Sequence, residues 1–128
     1  EMIRAVMKSR NVQSLEDLLA EAGKPGVWLD VCTMAINYLL YGLYKEAKLS
    51  GPFERLYRAY FEEYLERTGD RQCLEVMAPF FVFRGLVVAS PEWYPDHPPA
   101  VRRGLLRFLV NVLEDEVFDW EHVNRYME

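Results

Sequence analysis

The feature that most constrains the fold is the run from Cys73 to Tyr94, CLEVMAPFFVFRGLVVASPEWY, which is almost wholly apolar. Glu75 and Arg84 stand inside the run at fixed places. A long apolar stretch of this kind is typical of a helix in the centre of a globular fold. The two charges and Pro79 also argue against a membrane span. The run therefore predicts a buried core helix.

The rest of the chain shows helical periodicity, and no stretch alternates strictly between apolar and polar residues as a half-buried strand would. We expect a long central helix from Trp28 to about Glu46, a surface helix over Phe53–Arg67 and a short last helix over Trp120–Met127. The predicted fold is all-α, a single-domain bundle or array of five to six helices, two of them largely buried. Within it, residues 1–26 form short helices and a Gly/Pro turn, and residues 27–128 form the helical core.

Composition narrows the classes of function. The 128 residues carry a net charge of −5, which argues against nucleic acid because phosphate contacts need clustered Lys and Arg. The same charge is compatible with a cationic small molecule. Cys32 and Cys73 both lie in apolar runs and are predicted to be buried free thiols. No metal-ligand spacing, signal peptide or membrane span is recognised, so we expect a cytoplasmic location.

The sharpest polar candidates are Asp30 and Arg84, each predicted to lie in a buried helix. A buried charge needs a partner, so the two pair with each other, or Arg84 meets Glu75 or a carbonyl. For Asp30 and Arg84 we favour a structural ion pair over a role in binding substrate. Asn37 likewise has a structural interpretation, in which its amide satisfies neighbouring backbone, and one in which it faces substrate. The candidate structural or cleft residues are Asp30, Asn37, Glu75, Arg84, Glu92 and Trp93.

Two stretches resemble the C-terminal helical part of the aminoglycoside phosphotransferase family: DVCTMAINYLLYGL (Asp30–Leu43) and the run from Tyr64 to Pro95. Members of this family are small-molecule kinases with a protein-kinase-like fold. The resemblance covers about residues 21–128 and implies a helical subdomain on the substrate side of such a transferase. The family's His-Gly-Asp loop and its ATP-binding lobe are absent. We therefore expect the chain to be a fragment or relative of such a kinase that does not catalyse phosphotransfer by itself. We expect no catalytic, cofactor-binding or metal-binding residues in it, since ATP and Mg²⁺ would require the missing lobe.

Two kinds of partner follow from this resemblance. A substrate-side subdomain would work with a nucleotide-binding lobe. The alternative is a stand-alone helical module for protein interaction or dimerisation, without enzymatic activity. Its partner would be a second copy of the chain, because a truncated lobe exposes an apolar face that drives association.

Overall fold

The computed structural model describes residues 23–128, and over these residues it has five helices and no strand. Four are α-helices, named α1 to α4, and the fifth is a 3₁₀ helix. Their bounds are Pro25–Glu46 (α1), Gly51–Thr68 (α2), Cys73–Ala89 (α3), Pro99–Val112 (α4) and Trp120–Met127 (the C-terminal 3₁₀ helix). The predicted all-α single domain is confirmed over this part of the chain. The short helices predicted before residue 23 lie outside the described residues.

Local sequence explains where the helices begin and end. Proline stands in the first turn of α1 and of α2, where its missing N–H needs no helical partner. Helix α2 ends at Gly69, which has a left-handed φ of 65° and donates its N–H to the Leu65 carbonyl at 2.9 Å. Ala47 takes the same conformation after α1, with φ 63°. Pro79 lies within α3 without ending that helix.

The core is organised around Phe118, which lies between α4 and the C-terminal 3₁₀ helix. Its ring is 4% exposed and lies 4.9 Å from the ring of Phe81, centroid to centroid. The rings of Phe61, Phe108 and Tyr126 also surround it, at 6.0, 6.3 and 5.4 Å. One aromatic residue outside any helix thus joins side chains from α2, α3, α4 and the 3₁₀ helix.

The tyrosines of α2 belong to this core. Tyr57, Tyr60 and Tyr64 are each 1% exposed, and the Tyr57 hydroxyl donates to the Trp120 carbonyl at 2.9 Å. Their helical spacing places all three on the face of α2 that packs into the core.

Among the described residues, α1 is the one helix long and apolar enough to cross a membrane. Of its most apolar window, 56% is buried inside the fold. Val31, Ala35, Ile36 and Leu39 have no exposed surface. This burial is typical of a core helix, which passes the same test of length and composition.

Candidate functional site

The two cysteines of the chain lie in the core near the contact between α1 and α3. Cys32 is in the middle of α1 and Cys73 is the first residue of α3. Neither has exposed surface, and both are free thiols. The Cys32 thiol donates to the Met77 carbonyl, with the sulfur 3.7 Å from the oxygen. The predicted buried free thiols are therefore confirmed.

The surroundings of both cysteines disfavour a thiolate. Burial raises the pKa of Cys32 well above its ordinary value, and the proximity of Cys73 raises it further. Burial also raises the pKa of Cys73 to about 12, together with the charge of Asp70 and against the smaller effect of Arg71. Because the thiolate is the nucleophile in cysteine chemistry, both sulfurs are held in an unreactive form.

Asp70 positions the elements around this thiol site. Its Oδ2 accepts hydrogen bonds from Trp28 Nε1 at 2.9 Å and from the Tyr64 hydroxyl at 2.7 Å. Its own backbone N–H donates to Thr68 Oγ1 at 3.1 Å. One carboxylate therefore ties α1 and α2 to the turn that leads into Cys73. Asp70 was not among the candidate residues of the sequence analysis; the signal in the sequence was an acid directly after the capping glycine Gly69.

The structure places Asp30 and Arg84 in different surroundings. Asp30 is 9% exposed on α1. Burial is the main cause that raises the pKa of Tyr60, and the charges of Tyr64 and Asp30 add to it. Arg84 is half-buried on α3 and donates from Nη2 to the Tyr94 hydroxyl at 3.2 Å. The predicted pairing of Arg84 with Asp30 or Glu75 stays a prediction.

The other four predicted residues, Asn37, Glu75, Glu92 and Trp93, are exposed, and only Glu92 and Trp93 are neighbours in the chain. Asn37 borders a shallow groove of about 390 Å³ on the outer face of α1, which is otherwise lined by Met34 and several tyrosines. Trp93 is 69% exposed on the loop after α3, in a turn where the Glu92 N–H donates to Ser90 Oγ at 3.2 Å. Among the described residues, no contact brings these predicted residues into one site.

The loop of residues 90–98 is held by a group that sequence analysis did not single out. Arg102 donates to the carbonyls of Ala89 at 2.6 Å, Tyr94 at 3.2 Å and His97 at 3.1 Å. His97 stacks on Tyr94 and its Nδ1 lies 2.5 Å from the Tyr44 hydroxyl. Through its hydrogen bonds to these three carbonyls, Arg102 fastens the loop to the end of α3.

The pKa of His97 is lowered by this packing. Burial is the largest cause and the charge of Arg102 the second, and the charge of Asp96 acts in the opposite direction. His97 is therefore held as a neutral ring against α1.

A surface groove of about 560 Å³ lies between the start of α2 and the 3₁₀ helix. Its charges pair with one another. Arg58 lies 3.6 Å from Glu54, and Asp119 contacts both Arg125 at 3.5 Å and His122 at 3.1 Å. With four acidic residues, Glu54, Asp119, Glu121 and Glu128, against Arg58 and Arg125, the groove keeps a net negative charge. Residues 23–128 contain no group of three or more His, Cys, Asp or Glu that could hold a metal ion.

Comparison with known proteins gives one family. A model of the DsrE/DsrF/DrsH-like family matches residues 1–72, more than half of the 128 residues. No curated protein and no solved structure matches the chain. The matched part includes Cys32, α1 and α2, and it ends one residue before Cys73 and α3.

This match overturns the predicted resemblance to the aminoglycoside phosphotransferase family. The assignment to a substrate-side kinase subdomain and to the transferase class is corrected with it. The match gives no clear support to a stand-alone interaction module either. The wrong resemblance rested on apolar helices, whose pattern reflects burial and recurs in unrelated helical proteins.

Proposed function

Because the chain belongs to the DsrE/DsrF/DrsH-like family, we propose that it is a domain of the sulfur-relay type that acts by binding a sulfur-carrying protein. The observation that carries this proposal is the state of its only two cysteines, Cys32 and Cys73. Both are fully buried, and both have a raised pKa. The sulfur that is relayed would therefore stay on a cysteine of the partner.

The chemistry of sulfur relay explains why this observation matters. An acceptor thiolate attacks the outer sulfur of a persulfide, R–S–SH. A new S–S bond forms, the donor S–S bond breaks, and the donor leaves as a thiolate. The acceptor must therefore be ionised and within reach of the donor. Cys32 and Cys73 meet neither condition in this fold, and Asp70 adds a negative charge beside Cys73.

One observation favours a second candidate, in which Cys32 itself carries the sulfur. Cys32 lies within the matched residues 1–72, and Cys73 does not. For Cys32 to react, α1 would have to separate locally from α3 and break the bond to the Met77 carbonyl. The two candidates predict different reactivity for the native protein.

The first experiment exposes the folded chain to inorganic polysulfide and follows its intact mass. We expect no gain of sulfur by the native protein over a time in which the same protein, unfolded in urea, gains sulfur on both cysteines. The Cys32→Ser and Cys73→Ser variants identify the reacting thiol. A native protein that gains one sulfur atom, and loses that gain in Cys32→Ser, would refute the binding role and support the second candidate.

The second experiment tests the partner directly. The tagged chain is captured from its native cells, and persulfides on the bound proteins are labelled by selective alkylation and identified by mass spectrometry. We expect a bound protein that carries a cysteine persulfide, and no persulfide on the chain itself. Captured material without any persulfide-bearing protein would contradict the proposal.

A cytoplasmic location is part of the proposal. It is supported by the two free thiols, which are kept reduced in that compartment. Fractionation of the native cells should recover the chain in the cytoplasmic fraction, and recovery with membranes would contradict this location.

A further inference from the structure

The outer surface of α3 and α4 is apolar although it faces solvent. On α3, Phe83 is 64% exposed and Leu86 is 53% exposed. On α4, Leu106 and Val110 are 40% and 59% exposed, and Leu113, the residue directly after α4, is 57% exposed. These five side chains are called the α3–α4 face below. An apolar face of this extent on a folded domain is typical of an interaction site.

Helix geometry makes these five side chains one continuous surface. The two helices touch where Gly85 meets Leu109, since a Cβ on Gly85 would lie 2.5 Å from the Leu109 side chain. Leu86 directly follows this contact on α3, one turn after Phe83. Leu106 lies three residues before Leu109 on α4. Leu106, Val110 and Leu113 follow one another at spacings of four and three residues, so they form one stripe along α4.

Charged residues flank this stripe in an ordered way. Arg103 and Arg107 lie one turn apart within α4, and Glu114 and Glu116 follow its last turn. Arg107 and Glu114 are seven residues apart, which is two turns, so they flank the stripe on the same side. All four side chains are exposed. Within the part of the chain that the structure describes, none of them forms an ion pair.

We propose that the α3–α4 face binds a second copy of the chain, with the two α4 helices antiparallel and a two-fold axis beside Val110. A two-fold interface pairs the same surface on both copies. Val110 then faces Val110 of the other copy, and Arg107 of each copy lies next to Glu114 of the other. The order of charges along α4, basic and then acidic, is self-complementary only in this antiparallel arrangement.

The charges also argue against a membrane surface as the occupant. The stripe is flanked by acids at one end, and the whole chain carries a net charge of −5. Helices that lie on membranes carry mainly Lys and Arg on their polar side, because the lipid surface is negative.

The proposal is independent of the sulfur-relay role. The whole α3–α4 face lies in residues that the family match does not cover, since that match ends at residue 72. Failure of one proposal therefore leaves the other standing.

Sedimentation equilibrium of the full chain over a range of concentrations tests the dimer. The wild-type protein should have about twice its chain mass of 15.1 kDa. Val110→Glu places two carboxylates together at the axis and should weaken the dimer at least thirtyfold, roughly the effect of losing a central interface side chain. Leu56→Glu, an equally apolar exposed position on α2, is the control and should remain dimeric.

A charge exchange tests the antiparallel order. Arg107→Glu and Glu114→Arg should each weaken the dimer about tenfold, and the double variant should recover most of the loss, because each new pair is again of opposite sign. The double variant also keeps the proposal testable if Val110→Glu fails to fold. A monomeric wild-type protein, a dimer that survives Val110→Glu, or a double variant as weak as the single ones would overturn the proposal.

Discussion

A single carboxylate, that of Asp70, connects α1 to α2. It accepts from Trp28 and Tyr64 and stands beside the Cys73 thiol, whose pKa it helps to raise. Hydrogen bonds to a charged acceptor are stronger than those to a neutral one. The residue that fastens α1 to α2 is therefore also one that keeps the nearby sulfur protonated.

We expect Asp70→Asn to destabilise the fold by about 2 kcal/mol, because both hydrogen bonds to Oδ2 lose their charged acceptor. Urea unfolding followed by circular dichroism measures the change. Glu66→Gln, an exposed acid on α2, is the control and should stay within about 0.5 kcal/mol of wild type. Equal stability of the two variants would show that Asp70 does not hold the helices together.

His97 gives the fold a defined dependence on pH. Its pKa in the folded state is lowered, so on acidification the unfolded chain binds the proton first, near the ordinary histidine pKa of about 6.5. The contribution to stability is therefore complete above that pH and is lost as the pH falls through the folded-state pKa.

We expect the wild-type free energy of unfolding to fall as the pH is lowered below about 6.5, and His97→Gln to reduce this fall. Urea unfolding at three or four pH values in this range measures it. The interpretation would be wrong if His97→Gln and wild type lost stability equally.

At the scale of elements, α3 shows how far an apolar sequence constrains a helix. Its composition predicted a core helix, and one face does pack against α1 and α4. Phe83 and Leu86 nevertheless face solvent. Because α3 has no polar face, its sequence did not indicate which side of the helix would be buried. The packing of Gly85 against Leu109 decides this, because it turns the residues beside it outward.

At Gly42 in α1, the backbone of residues 48 and 49 packs directly against the helix and leaves no room for a side chain. A Cβ there would lie 2.6 Å from the Lys48 carbonyl oxygen and 3.0 Å from the Leu49 Cα, and both are backbone atoms that yield little. At Gly104 in α4, a Cβ would meet only the tip of the Leu43 side chain, at 2.6 Å. The two glycines therefore differ in what a methyl group would displace.

We expect Gly42→Ala to destabilise the protein by about 2 kcal/mol through overpacking against backbone, and Gly104→Ala by clearly less. Both are helical positions, so the gain in helix propensity is common to the two variants and cancels in their comparison. Thermal and urea unfolding measure the difference. A Gly104→Ala variant as unstable as Gly42→Ala would contradict this account.

At the scale of the molecule, the C-terminal residues close the fold. The N–H of Phe118 donates to the Leu74 carbonyl at 2.8 Å, which brings the segment after α4 against the start of α3. Asn124 binds the buried Leu49 through both backbone groups, accepting from its N–H at 2.7 Å and donating to its carbonyl at 2.9 Å. Residues 75 positions apart are joined in this way.

We expect Asn124→Ala to cost about 2 kcal/mol, because it leaves two buried backbone groups of Leu49 without their partner. Asn37→Ala removes an amide from an exposed position and is the control, with an expected change within about 0.5 kcal/mol. Urea unfolding monitored by tryptophan fluorescence compares them. Equal stability of the two variants would show that the C-terminal contact does not support the fold.

The sequence by itself determined the helices of residues 23–128 and their approximate bounds. It did so because helical periodicity, Pro52 in a first turn and Gly69 at a helix end act over a few residues. It also indicated buried free thiols, since both cysteines lie in apolar runs.

Only the tertiary structure decided the rest. It placed Phe118 at the centre of the core, gave Arg84 the Tyr94 hydroxyl as partner, set Asp70 beside Cys73 and left one side of α3 open. These arrangements depend on which distant segments of the chain pack against each other, and no local sequence pattern encodes that packing. The family, too, did not follow from the apolar helices, because burial imposes the same pattern on unrelated proteins.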